Sequence, residues 1–416
     1  MDMTAPLLAD MDFQPLSTAF AQNPYPAYAA LRARGEPVYF ADFDIWLVTR
    51  FDDVAAIARD NAMVRSAEFF MSPEEIEEQQ RAQNWHDMPH HSRFVQFSML
   101  DSDGAVHDRL RKQVFREFTP AFIARQRGMI QDFVDRLVDG LIDRGEIDFV
   151  EDLAAHVPGH IIGRVLGVPD EDCPQLRVWS ENVVRFFDID RSDARKAAAE
   201  RATTEFYQYL LKLMAARRAA PEDDMITRLM VAQDAGHLNE DELVSTCMLI
   251  LMAGHGSTID VLGSGMHALL RYPDQMQRLR QEPGVIQTAI QEMFRFESPL
   301  PFFHRYATAD CRIGGRSFAR GTKFGLLYGA ANRDPDAFGP DADTFNIARN
   351  PNRHLAFGGG AHFCLGNHLA RLDMEVIFTT LLKRMETISL AEAEPQYKTG
   401  LSVRGPRALK IAFKPA

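Results

Sequence analysis

A mostly α-helical fold with a minor β-sheet is what this sequence predicts. Apolar residues recur at helical spacing from end to end, and only short blocks alternate in the manner of strands. No internal repeat, low-complexity tract or Gly/Ser linker divides the 416 residues, so one domain spanning 1–416 is the economical reading. A hydrophobic content of 46% with 25% charged residues belongs to an ordinary globular chain rather than a disordered one. The formal net charge of -12 favours solubility and argues against a chain-wide nucleic-acid footprint.

From the start, "MDMTAPLLADMDF" has no basic segment followed by an apolar core, so no secretory signal is expected and the expected location is the cytoplasm. "YPAYAALRAR" and "FDDVAAIARD" read as helices flanking a strand-like "PVYFADFDIWLVT". From Pro120 to about Ile250 the pattern is nearly all helical, punctuated by "LGVPDED" and "RRAAPEDD". A second strand-rich block runs from Arg305 to Tyr328, with turns supplied by "GGRSFARGTK". The remainder returns to helix and ends in short strands, "TGLSVRGPRALKIAFK". The longest apolar run, Cys247 to Gly254, is far short of the roughly 20 residues that cross a bilayer. Cys173, Cys247, Cys311 and Cys364 form no CxxC pair, which excludes a zinc knuckle and gives no disulfide framework.

One cysteine stands apart. In "HLAFGGGAHFCLGNHLA", His354 to Ala370, Gly358, Gly359, Gly360 and Gly366 surround Cys364. Glycines permit positive φ and let backbone approach a flat partner without a Cβ in the way. The stretch opens the helical "CLGNHLARLDMEVIFTTLLKRM", so Cys364 is expected near a helix N-terminus, where backbone N–H groups favour a thiolate.

These residues resemble a known family. Phe357-Gly358-x-Gly360-x-His362-x-Cys364-x-Gly366 matches the haem-binding signature of the cytochrome P450 family at every fixed position. The resemblance implies a triangular haem-thiolate prism of the soluble bacterial type, with Cys364 as the axial ligand of a haem b iron and His362 reaching a haem propionate. Other segments fit in the right order. Glu292-x-x-Arg295 resembles the family's ExxR pair, and Arg349 is the candidate third member of a buried structural triad. His107 and Arg111, four apart on one helix face, resemble its propionate-binding HxxxR pair, and Arg305 sits where it has another propionate ligand. The proline usual upstream of the histidine is replaced by Gly104 and Ala105.

Arg109, Lys112 and Arg116 lie together on the opposite face of the His107 helix. They read either as a solvated stripe or as a docking patch for an acidic, ferredoxin-type electron donor.

"EDELVSTCMLILMAGHGSTIDVLGSGMHALLRYP" reads as one helix of about 30 residues, roughly 45 Å long, that crosses the interior. Close approach of another body would explain at least Gly254 and Gly256 of its four glycines. The family's A-G-x-[D/E]-T-[T/S] pattern appears here as Ala253-Gly254-His255-Gly256-Ser257-Thr258. Ser257 supplies a hydroxyl, but the proton-relaying carboxylate is absent at Gly256. Water by another path with help from His255 or Asp260, poor coupling, or a reaction that does not need that proton are the three alternatives.

The resemblance implies a monooxygenase that inserts one atom of O₂ into a small hydrophobic substrate, with electrons from a ferredoxin served by an NAD(P)H-dependent reductase. A haem protein that senses a ligand or rearranges a peroxide is the alternative. Pocket candidates are Leu249, Met252, Ala253, Leu300, Phe303, Val403 and Phe97, with Phe186 and Phe187 in the roof; plain core packing is the competing reading for each.

Overall fold

The structure, a computed structural model, describes residues 13–392 and 394–416. The expectation drawn from the first twelve residues therefore lies outside the described part. Strands β1 (Val38–Phe40), β2 (Ile45–Val48), β3 (Met63–Val64), β4 (Glu146–Asp148), β5 (Phe302–Ala307), β6 (Cys311–Ile313), β7 (Arg316–Phe318), β8 (Lys323–Leu327), β9 (Met385–Leu390) and β10 (Lys410–Pro415) form three small sheets. The largest runs β1-β2-β8-β5-β3, and the others are β4-β10-β9 and the hairpin β6-β7. In the large sheet β2 and β8 are parallel and the remaining pairs antiparallel. Everything else that bears on the site is helical: α1 (Phe51–Arg59), α2 (Gly104–Val114), α3 (Val157–Leu166), α4 (Cys173–Phe186), α5 (Asp193–Ala219), α6 (Glu240–Ala253), α7 (Gly256–Arg271), α8 (Ile286–Phe296) and α9 (Asn367–Arg384).

The order of elements follows the sequence reading, with two corrections. The block from Pro120 to Ile250 contains the short strand β4 and a π-helical turn, Phe149–Ala154. Strand β4 escapes notice because its three residues find their partner, β10, more than 250 positions away. The long interior helix is also not continuous: it breaks at Gly254 and His255 into α6 and α7. Ser257 Oγ donates to the Ala253 carbonyl across the break (3.2 Å), so a side chain takes over a bond that an unbroken helix would make with backbone. The start of α6 is fixed by a capping box between Asn239 and Glu242.

The glycines of this pair mostly serve helix packing. A Cβ on Gly254 would meet Ile162 of α3 at 2.9 Å, on Gly263 would meet Pro406 at 2.7 Å, and on Gly265 would meet Met293 of α8 at 2.8 Å. Only Gly256 has open space around it. The stretch Glu240–Arg271 is the one helical segment among the described residues long and apolar enough to cross a membrane, and 78% of its most apolar window is buried inside the protein. It is a core element, as its apolar residues on all faces require.

Behind α8 a buried ion pair fixes the long connection to α9. Arg295 and Glu292 are both fully buried and meet in two bonds of 2.7 Å. The remaining Arg295 donors go to the carbonyls of Asn332, Ala342 and Thr344, so all five guanidinium N–H groups are used. Arg349 joins more loosely, 3.4 Å from Glu292, and also bonds Asp341 and the Phe338 carbonyl. The predicted triad is thus brought together. Asn352, not singled out from the sequence, donates to Glu292 at 3.0 Å and is an equal member.

Candidate functional site

A cavity of about 1090 Å³ opens between α7, α2, the large sheet and the loop before α9. Cys364 lies in its floor, three residues ahead of α9. The loop is closed by a hydrogen bond from the Cys364 N–H to the Phe357 carbonyl (2.9 Å). Phe357 packs on Phe294 of α8 (ring centroids 4.5 Å) and under the Arg371 guanidinium (4.6 Å). Of the four glycines read as yielding to a flat partner, only Gly358 (φ +68°) and Gly360 (φ +65°) adopt left-handed backbone. A Cβ on Gly360 would strike the Ala58 carbonyl of α1 at 2.6 Å. Its close approach is therefore to protein, a correction to the sequence reading, and Gly359 and Gly366 have ordinary backbone.

The electrostatics of the sulfur differ from the expectation too. Burial pushes the Cys364 thiol up, against the Gly366 N–H and the Arg111 and Arg371 guanidiniums, which pull it down. A helix-start location alone does not make this thiol a thiolate; a metal bound to it would, since a coordinating thiol is deprotonated outright.

Around the floor the structure gathers the predicted basic residues. His107, Arg111, Arg305 and His362 all line the cavity. His107 and His362 lie 4.4 Å apart between ring centroids, and Arg111 donates to the Phe363 carbonyl (2.6 Å). The buried His107 Nε2 has no partner among the described residues. His362 Nε2 is 2.9 Å from Asp103 Oδ1, and burial holds this ring at about 4. Asp103 Oδ2 accepts the Arg65 and Ser66 N–H groups (2.7 and 3.0 Å), which ties the start of α2 to the sheet edge and to the floor. Neither Asp103 nor Arg65 carries a sequence signal beyond being an ordinary charged residue; their role arises from contacts made on folding.

A flat group with an acidic rim and an open axial position is what this arrangement fits. The sulfur faces the interior, and the unpaired Nε2 of His107 and Nε of Arg65 are buried donors awaiting acceptors. No group of three or more metal-ligating side chains occurs among the described residues, so a metal here would arrive already chelated.

On the wall above, Leu249, Met252, Ala253, Gly256, Ser257 and Thr258 line the cavity, as do Phe97, Phe187, Leu300, Phe303 and Val403. Phe186 does not. It is fully buried in a separate cluster with Met88 and Ala199, 5.2 Å from the Trp85 ring. Two consecutive residues at a helix end point about 100° apart, so one aromatic faces in and the other away. His255 also lines the cavity, with its imidazole packed where a Gly159 side chain would be (2.9 Å), its Nε2 without a partner among the described residues and burial holding it near 4. It faces α3. Asp260, one turn beyond Gly256, is buried and accepts from Lys398 Nζ at 2.6 Å; both line the cavity.

One member of the basic stripe on α2 is paired in the structure. Arg109 is clamped by Glu242 in two bonds of 2.6 and 2.9 Å and donates to the His237 carbonyl. It joins α2 to α6, with its side chain 40% exposed. Lys112 and Arg116 remain exposed.

Fold and floor together define a helical protein built to hold a planar redox cofactor over a cysteine. Comparison with known proteins gives the family. Residues 177–413 match the family model described as Cytochrome P450. The chain is 34% identical to the polyketide biosynthesis cytochrome P450 PksS of Bacillus subtilis over 96% of this chain and 98% of that protein. It is also 34% identical to the vitamin D(3) 25-hydroxylase of Pseudonocardia autotrophica, over 96% of each chain. The solved structure of P450BioI in complex with a hexadec-9Z-enoic acid ligated acyl carrier protein superposes with a TM-score of 0.88 and 31% identity, covering 95% of this chain and 100% of that one. The chain belongs to the cytochrome P450 family. It is a monooxygenase of the oxidoreductase class, and the family implies a haem cofactor, O₂, redox partners and hydrophobic substrates.

Proposed function

We propose that this protein hydroxylates a small hydrophobic compound, using haem b bound at Cys364, and that it works in the cytoplasm. The observation that carries the reading is the inward-facing Cys364 thiol in a cavity whose rim presents His107, Arg111, Arg305 and His362. Cys364 would hold the haem iron through its sulfur, and the four basic residues, with Phe357 and Gly358 shaping the loop, would hold the propionates and the ring. When bound, the haem supplies the oxidising chemistry: one atom of O₂ enters a C–H bond and the other leaves as water, with two electrons and two protons consumed.

The chain's own contribution is positioning and protons. Leu249, Met252, Ala253, Leu300, Phe303, Val403, Phe97 and Phe187 hold the substrate's apolar body and exclude water. Ser257 offers its hydroxyl at the break between α6 and α7. With His255 turned toward α3, Asp260 is the better placed of the two candidate acids. Burial raises its carboxyl, against the pull of Lys398, and it lines the cavity one turn beyond Gly256. Electrons would come from a ferredoxin docking near Lys112 and Arg116.

The test is reconstitution with a ferredoxin, its reductase and NAD(P)H over a panel of apolar compounds. Hydroxylated product, dependent on O₂ and on the electron donor, is the expected result. Tight ligand binding without any product under these conditions would overturn the proposal in favour of ligand sensing, the reading that the bare Gly256 otherwise supports.

A further inference from the structure

The cavity extends beyond the floor into an outer chamber framed by Phe43 and Ile45 of the β1–β2 hairpin, Trp85 and Ile189. Two cations face this chamber. Lys323 opens β8 directly opposite Tyr306 of β5, so both side chains lie on one face of the sheet, with Lys323 Nζ 5.5 Å from the Tyr306 ring centroid. Arg191 comes from the segment after α4. Its guanidinium lies 5.1 Å from the Trp85 ring and donates one bond to Gln83 (2.8 Å), while its Nε is buried without a partner.

Among the described residues neither Lys323 nor Arg191 is in ion-pair contact with a carboxylate; Asp44 acts on Lys323 and Asp188 on Arg191 only through space. Burial, then Arg191 and Arg65, push Lys323 down to about 8, and burial pushes Arg191 down to about 10. The other cations nearby are accounted for. Arg65 pairs with Asp101 at 2.7 Å, and Arg305 belongs to the proposed propionate rim. Two cations that burial strips of water and that lack a paired carboxylate among the described residues are costly unless an anion joins them. Burial also raises the Tyr306 hydroxyl to about 12, so it stays protonated beside Lys323.

We infer that the substrate is an apolar chain bearing a carboxylate, bound with its acid head between Lys323, Arg191 and Tyr306 and its other end toward Cys364. This rests on the reading of the cavity as a substrate pocket, and it specifies the substrate's chemistry. An arginine and a lysine, which can only donate, and a phenolic hydroxyl, which can donate as well as accept, come from three segments and match the acceptor-only oxygens of a carboxylate. The aromatic and aliphatic side chains of Phe43, Ile45, Trp85 and Ile189 suit an alkyl body, and the polar side chains nearby, Gln79, Gln80 and Gln83, are uncharged.

The test uses the haem-loaded protein titrated with dodecanoate, dodecan-1-ol and dodecylamine, with binding read from the cofactor's visible absorption and, independently, by equilibrium dialysis. Dodecanoate should bind at least about tenfold more tightly than the alcohol, and the amine more weakly than either. Lys323→Met and Arg191→Met should each weaken dodecanoate about tenfold while leaving the alcohol within about twofold. Lys323→Arg should keep the preference, which separates lost charge from lost folding. Equal affinity for acid and alcohol, or variants that weaken both alike, would overturn the inference. If the acid preference holds but no compound is oxidised, the inference stands and the oxygenase reading fails.

Discussion

The floor of the cavity and its wall are built from the same kind of material, helix ends and short loops, yet they differ in how closely they follow the family pattern. In the floor every fixed position from Phe357 to Gly366 is present, and Glu292, Arg295, Arg349 and Asn352 lock the chain leading to it. In the wall the helix breaks at Gly254 and His255 and the acid is missing at Gly256. The difference separates two tasks. Holding a cofactor needs one sulfur at one place, and a displaced loop cannot do it. Supplying a proton needs only some protic group within reach, so a carboxylate one turn away can substitute.

The largest expected effect is on the floor. Cys364→Ala should abolish oxygenation and change the reduced, carbon-monoxide-treated absorption, because the axial sulfur sets that spectrum; an unchanged spectrum would remove Cys364 from the site. Next comes the support beneath it. Glu292→Ala leaves Arg295 charged and fully buried, and should cost about 3–5 kcal/mol of stability in urea unfolding. A loss under about 1 kcal/mol would place the pair among ordinary surface bridges and make the floor no more rigid than the wall.

A third effect belongs to the wall. Burial holds the His255 ring at about 4 in the folded protein, while an unfolded chain's histidine titrates near about 6.5. As the pH falls through that window the unfolded state takes up the proton first, so His255's contribution is complete above about 6.5 and is lost on the way down to about 4. Between pH 7 and 5 the parent should lose about 2 kcal/mol more than His255→Leu, measured from denaturant midpoints at each pH. An equal loss in both would mean that water reaches this ring.

What was legible in the sequence follows the same division. The cysteine loop, the ExxR pair and the HxxxR pair are local patterns, in which a few neighbouring residues carry the geometry; the structure puts Cys364, His107 and Arg111 on one cavity and pairs Glu292 with Arg295, although Gly360 approaches α1 and not a flat partner. Asp103, Arg65 and Asn352 were invisible because their partners, His362, Asp101 and Glu292, are remote in the chain. The pairing of Arg109 was hidden in the same way: its helix face looks free until Glu242 of α6 arrives to clamp it. Phe186 and His255 show that a residue's place on a chain does not say which way its side chain turns. The break in the long helix was hidden because apolar residues continue on both sides of it.

The smallest effect sharpens the comparison most. Gly256 has no atom within 4 Å of where a Cβ would sit, so Gly256→Glu can be made without displacing a neighbour and restores the family's acid. If Asp260 now supplies the proton, Asp260→Asn in the parent should raise hydrogen peroxide released per electron donor consumed and lower product about tenfold. Placed on Gly256→Glu, the same change should matter much less, because the new carboxylate takes over the task and the two effects are not additive. Were Asp260→Asn equally damaging in both backgrounds, its bond to Lys398 would be holding the segment from Lys398 to Gly405 in shape instead. Gly405 lies so close to Asp260 that a Cβ there would clash, and the unfolding midpoint of Asp260→Asn would then fall along with its activity.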